Sequence, residues 1–174
     1  WLQKILAPCE SGIYHIMGVD PTERMSWRRY LGCVLLFSLV SIAALMLLLM
    51  AQHSLPLNPQ GIASTSWDLA LNTAVSFVSN TNWQAYSGEN AMSYLAQMAG
   101  LTVQNFVSAA VGIAVLFALI RGLRSGRAAG LGNFWADVTR AVLYILVPLS
   151  LVLSVLLIWQ GVPQNFSPYK TVAL

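Results

Sequence analysis

Three stretches of this chain are uncharged and long enough to cross a bilayer as helices: residues 31–50 (LGCVLLFSLVSIAALMLLLM), 99–120 (AGLTVQNFVSAAVGIAVLFALI) and 141–159 (AVLYILVPLSLVLSVLLIW). A hydrocarbon core of about 30 Å is crossed by roughly 20 helical residues, so each run is expected to be a transmembrane helix. Composition agrees, because only 9% of the 174 residues are charged and 57% are hydrophobic, whereas a soluble domain carries roughly 25% charged residues. The chain starts at Trp1 with neither a Met nor a secretory leader, so its N-terminus is expected to be internal to a longer product.

The basic residues set the expected orientation. Lys4, Arg24, Arg28 and Arg29 precede the first span, and Arg121, Arg124, Arg127 and Arg140 fill the connection between the second and third, whereas residues 51–98 hold no Lys or Arg. The positive-inside bias then places residues 1–30 and 121–140 in the cytoplasm and 51–98 and 160–174 in the periplasm. The net charge of +3 belongs to these helix flanks and points to no nucleic acid.

This parity bears on residues 66–78 (SWDLALNTAVSFV). At roughly 20 Å as a helix the stretch is too short to cross, and a crossing would move the Arg-rich connection outside. It is expected to dip into the membrane and return, as part of a re-entrant loop over 66–84. Thr65 with Asp68 reads as a capping-box-like start, and Asp68 suits the positive end of the helix dipole. The opposite end, near Phe77 and Val78, would then point inward with unpaired carbonyls, which suits a desolvating cation. The polar run Ser79-Asn80-Thr81-Asn82-Trp83-Gln84 has to climb back to Tyr86-Ser87-Gly88-Glu89. Two arrangements fit these residues: a pore loop whose carbonyls replace an ion's hydration shell, or an external loop with an amphipathic helix resting on the interface.

Elsewhere, Asn105, Ser108, Ala109 and Gly112 share one face of the second span. That face serves close packing of helices, or else Asn105 or Ser108 lines a cavity below the loop. Pro148 is expected to kink the third span. Cys9 and Cys33 are not expected to pair, and His15 and His53 fall on opposite sides of the membrane and cannot share a metal. No nucleotide-binding P-loop, Gly-x-Ser-x-Gly or Asp-Lys-Thr-Gly motif occurs in the sequence, so any ATP hydrolysis is expected on another chain.

AQHSLPLNPQG at 51–61, SWDLALNTAVSFVSNTNWQAYSGE at 66–89 and SYLAQMAGLTVQNFVSAAVGIAVLFALIRG at 93–122 closely resemble the KdpA family, the potassium-binding subunits of Kdp-type P-type ATPases within the superfamily of potassium transporters. The resemblance extends, more weakly, to residues 1–20 and to QNFSPY at 164–169. It implies an all-α membrane fold of four repeats of helix, pore loop and helix around one pore. This chain would supply one repeat (31–50, 66–84, 99–120) and the opening helix of the next (141–159). It further implies potassium facing the carbonyls of Ser79, Asn80, Thr81 and Asn82, with Trp83 and Gln84 flanking. The family's first filter residue is usually Thr, so Ser79 keeps the hydroxyl and loses a methyl. Also implied are no organic cofactor, a P-type ATPase catalytic subunit and small accessory membrane subunits as partners beside the lipid bilayer, and a bacterial inner (cytoplasmic) membrane location. A passive potassium channel or ion-coupled transporter of the same superfamily is the alternative, and a membrane scaffold a more distant one.

Overall fold

The computed structural model describes residues 2–124, 130–163 and 165–167, with side chains from Lys4 on. Trp1, Arg127 and the tail positions 164 and 168–174, which carry expectations above, lie outside the described residues. Helix α1 runs over Leu2–Met17 and α2 over Trp27–Ala51, closed by the 3-10 turn Gln52–Ser54. Helix α3 is Trp67–Val78 and α4 the single turn Gly88–Ala91. The π-helical stretch Ala96–Thr102 leads into α5, Val103–Arg124. Helix α6, Phe134–Arg140, continues through a second π stretch, Ala141–Leu146, into α7, Val147–Trp159.

Among the described residues, three continuous helical segments are long and apolar enough to cross a membrane: Trp27–Ser54, Ala96–Arg124 and Phe134–Trp159, of 28, 29 and 26 residues. Each contains one of the expected apolar runs and overshoots it. A formed helix propagates at little cost per residue, and Trp27, Arg28, Arg29, Arg121 and Arg124 have side chains suited to the headgroup layer.

Both π stretches have local causes. The Thr102 hydroxyl donates to the Gln97 carbonyl five residues back, at 2.8 Å. A Cβ on Gly100 would come within 2.8 Å of Leu48 and 2.9 Å of Leu45, so the widened turn lays bare backbone against α2. The second stretch precedes Pro148, which has no N–H and crowds the carbonyl four residues back. Ala141–Leu146 takes up that misfit as a π stretch.

Contacts divide the chain into two compact units whose boundaries fall inside α2 and α5. One unit takes residues up to 37 together with 106–161. Its core is Met25, Tyr30, Ala114, Ala118 and Phe134, and Phe37 meets the Phe134 and Trp135 rings edge-on at 5.9 and 5.8 Å. Ala110, Ala114 and Ala118 form a buried stripe at i, i+4 spacing on α5, where small side chains allow close approach. Of the expected line Asn105, Ser108, Ala109 and Gly112, only Ser108 is buried. The alanine stripe is a packing face that the sequence reading did not single out.

Polar groups tie this unit together. Arg121 grips Asp137 with two hydrogen bonds of 2.6 and 2.8 Å and donates to the Leu131 carbonyl at 3.0 Å. The Tyr30 hydroxyl lies 2.8 Å from the Ala114 carbonyl and 3.1 Å from Asp137. Gly132 stands at φ +92, a conformation that residues with a Cβ rarely adopt, and an added Cβ would also push on the Arg121 guanidinium. Helix α1, absent from the sequence-based expectations, is held by Glu10, which accepts hydrogen bonds from Tyr14 (2.7 Å), Arg140 (2.7 Å) and Tyr144 (2.6 Å).

The other unit takes residues 38–105 and those from 162 onward. Leu45, Leu49, Ala70, Ala74, Phe77, Met92, Ala96 and Leu101 are its core. Gln52 is fully buried within it. Its amide nitrogen donates to the carbonyls of Ala63 and Ala91, each at 2.8 Å, and its oxygen accepts the Ser93 N–H at 3.1 Å. One side chain thus clamps the segment that leaves α2 to the segment that returns after α3, closing the loop that carries α3 at its base.

Candidate functional site

Helix α3 forms because Ala70, Thr73, Ala74 and Phe77 recur at helical spacing and bury one face. Its N-cap is Ser66, one residue later than the expected Thr65, whose hydroxyl is buried and finds no partner among the described residues. Ser66 has the extended backbone that the capping position demands, at φ −63 and ψ 154. Asp68 stands in the first turn as expected, and a hydrogen bond with the Ser66 side chain holds its carboxyl below the ordinary value.

The carboxyl end of α3 differs from the expected set of unpaired carbonyls. Asn80, at φ +58, occupies the left-handed position that ends many helices. Its N–H reaches the Phe77 carbonyl at 3.2 Å, while the Thr81 N–H reaches that of Ser76 at 2.9 Å. These are the paired 5→2 and 6→1 bonds of a Schellman cap. The Ser79 N–H takes the Val75 carbonyl at 2.9 Å, and the Asn82 N–H is a second backbone donor to Ser76, at 3.2 Å. The helix end is therefore capped by the polar run itself, and the carbonyls of Val75, Ser76 and Phe77 are spent on that run.

The cap has a consequence for the other side of the loop. In a trans peptide the N–H and the preceding C=O point in opposite directions, and the described chain has no cis bond. With the N–H groups of Asn80, Thr81 and Asn82 all turned toward the last turn of α3, the carbonyls of Ser79, Asn80 and Thr81 turn away from it. Left-handed residues alternating with ordinary ones give successive N–H groups a common side, as in an anion-holding nest. Here Asn80 and Asn82 (φ +57) are left-handed, the nest is filled by helix carbonyls, and its reverse side is a row of carbonyl oxygens. Asn is among the residues that adopt this conformation most readily, which explains two asparagines in four positions without glycine.

Side chains brace the run. The Ser79 hydroxyl lies 3.2 Å from the Ser76 carbonyl and 2.7 Å from the Thr81 hydroxyl, and the Asn82 amide lies 3.5 Å from Asn80 Oδ1. The Ser76 hydroxyl donates to the Trp83 carbonyl at 3.0 Å. Ser79 through Gln84 are exposed, Trp83 to 79%. Ser79, Thr81 and Trp83 edge an open, largely apolar groove of about 500 Å³ along Trp67, Leu71 and Val75 of α3. Ser108 is buried and Asn105 exposed, three residues apart on α5. Among the described residues no group of three His, Cys, Asp or Glu side chains is placed to hold a metal, and the side chains of Ser79 to Asn82 offer only neutral hydroxyl and amide groups. Neither Ser76 nor Gln52 stands out in the sequence, because each acts on backbone atoms of residues that lie apart from it along the chain.

Membrane-length helices, and a short helix whose cap lays out a row of outward carbonyls, define an α-helical membrane protein with a loop suited to main-chain contacts. The chain matches the family model KdpA, potassium-transporting ATPase A subunit, over residues 1–174, and it belongs to that family. It is 70% identical over its whole length to the potassium-transporting ATPase potassium-binding subunit of Desulfovibrio desulfuricans and 60% identical to that of Clostridium botulinum. It is also 58% identical, over 97% of the chain, to the subunit of the same name from Pseudomonas syringae. In each case the chain spans about 30% of the relative's length.

Proposed function

We propose that this chain supplies one filter segment of a potassium-binding membrane subunit, with the main-chain carbonyls of Ser79 to Asn82 facing the ion. The observation that carries the proposal is the set of N–H groups at Asn80, Thr81 and Asn82 folded back on Ser76 and Phe77, which turns the intervening carbonyls to the opposite side. Carbonyl oxygens held this way replace a potassium hydration shell without a fixed charge. Helix α3 and residues 79–84 form a re-entrant loop entered from the periplasm, and Arg121, Arg124 and Arg140 stay cytoplasmic. The intact subunit closes its pore with further repeats in a bacterial inner membrane, and ATP hydrolysis resides on a partner P-type ATPase chain, as the relatives' names suggest.

The test is ion competition in the full-length protein. Thr81→Pro removes the 2.9 Å bond to Ser76 and drives Asn80 toward extended backbone, so potassium selectivity over sodium should be lost. Ser79→Thr keeps the backbone and the hydroxyl and should leave selectivity intact. Equal selectivity in both variants would remove these carbonyls from the ion's path.

A further inference from the structure

We infer that Ser76 is a positioning residue that sets where the outward row of carbonyls ends, an inference that rests on the filter reading above. Ser76 is 9% exposed in the last turn of α3, and both of its oxygens serve the loop. Its carbonyl receives the N–H groups of Thr81 (2.9 Å) and Asn82 (3.2 Å) and the Ser79 hydroxyl (3.2 Å). Its own hydroxyl donates to the Trp83 carbonyl at 3.0 Å. The two oxygens act in opposite senses. The backbone oxygen draws N–H groups inward and so turns carbonyls outward; the hydroxyl draws a carbonyl inward. The run therefore changes direction by Trp83, whose oxygen is held against α3 while those of Ser79, Asn80 and Thr81 turn away. The row is bounded at one end by the Ser79 cap and at the other by the Ser76 hydroxyl.

The sequence requirement is narrow. The residue must be helical, small enough for a buried turn and able to donate from its β-position, which leaves Ser and Thr. Ala at this position preserves the helix and the backbone bonds, since it is the best helix former, and deletes only the hold on Trp83. The Trp83 carbonyl is then free to rotate toward the ion and the upper end of the loop loosens. Ion discrimination, more than folding, should respond.

The experiment uses the full-length protein in the membrane, with Ser76→Ala, Ser76→Thr and Thr81→Pro measured side by side for uptake of potassium and rubidium and for inhibition by sodium. Loss of one hydrogen bond predicts that Ser76→Ala raises the KM for potassium, or lowers discrimination against sodium, by about two- to tenfold. Maximal rate per assembled protein should stay near wild type, and Ser76→Thr should restore both parameters. A merely structural role would lower protein yield and maximal rate and leave KM and ion preference unmoved, and that result overturns the inference. Should Ser76→Thr assemble poorly, Ser76→Gly supplies a second hydroxyl-free variant, which must share the altered ion preference of Ser76→Ala. If Thr81→Pro retains selective binding, the filter reading itself fails. If Thr81→Pro abolishes it while Ser76→Ala keeps wild-type KM and preference, only the role of Ser76 fails.

Discussion

Replacing Asn80 tests whether the loop acts through its backbone. Asn80 sits at φ +58 as the left-handed residue of the α3 cap, and its N–H is bonded to the Phe77 carbonyl at 3.2 Å. An L-residue with a Cβ pays roughly 1–2 kcal/mol in this conformation; Asn pays less, Gly pays nothing and a β-branched side chain pays most. Asn80→Val thus lowers the population of the capped loop that turns the carbonyls outward. Apparent affinity falls in proportion to the competent fraction, and a penalty of one to two kcal/mol, a factor of about 5–30 in the ratio of capped to uncapped loop, lowers it by at most that factor. Asn80→Gly keeps the geometry and should bind potassium close to wild type, with Asn80→Ala between the two. The assay is potassium-dependent uptake, or direct ion binding, by the full-length protein at matched expression. If Val and Gly weaken affinity equally, the Asn80 side chain and not its φ is what matters, and the reasoning is refuted. Unchanged affinity in all three variants would refute it as well.

Two further perturbations address orientation and the anchoring of α1. In otherwise cysteine-free full-length protein, a membrane-impermeant thiol reagent applied from outside should label Gln60→Cys and leave the exposed native Cys9, restored singly, unmodified; the reverse pattern would invert the topology. Burial alone would raise the Glu10 carboxyl, but the hydrogen bonds from Tyr144, Arg140 and Tyr14 outweigh it and hold it below its ordinary value of 4.5. A carboxyl depressed by folding stabilises above its ordinary value, and that contribution is lost as pH falls through the folded-state value. The thermal midpoint of the wild type should therefore exceed that of Glu10→Gln at neutral pH, and the gap should close as the pH falls below the ordinary value of 4.5 and on through the lowered folded-state value; a gap independent of pH would show that the carboxylate charge is not what anchors α1.

The three spans were legible because bilayer thickness leaves a 20-residue apolar run few alternatives. Their true ends were not, since Trp27, Arg28 and Arg124 extend helices for reasons hydropathy does not weigh. Helix α3 was legible from its length and from Asp68. The capping of α3 by its own loop was missed because dipole reasoning treats the helix end as open, whereas the following six residues decide where its carbonyls go. Gln52 and Ser76 were invisible for a related reason: each acts through backbone atoms of residues distant in sequence, and backbone partners leave no trace in residue identity. Helix α1 depends on Glu10 meeting Arg140 and Tyr144, 130 and 134 positions away, a contact that no local pattern announces.

The most direct test of the carbonyl row is a density map of the full-length protein loaded with potassium, compared with one prepared in sodium alone. Ion density should appear in the potassium map against the main-chain oxygens of Ser79, Asn80 and Thr81, on the side of the loop facing away from Ser76, with the Trp83 carbonyl still turned to the Ser76 hydroxyl. Density held only by side-chain oxygens, or no ion near residues 79–82, would contradict the account.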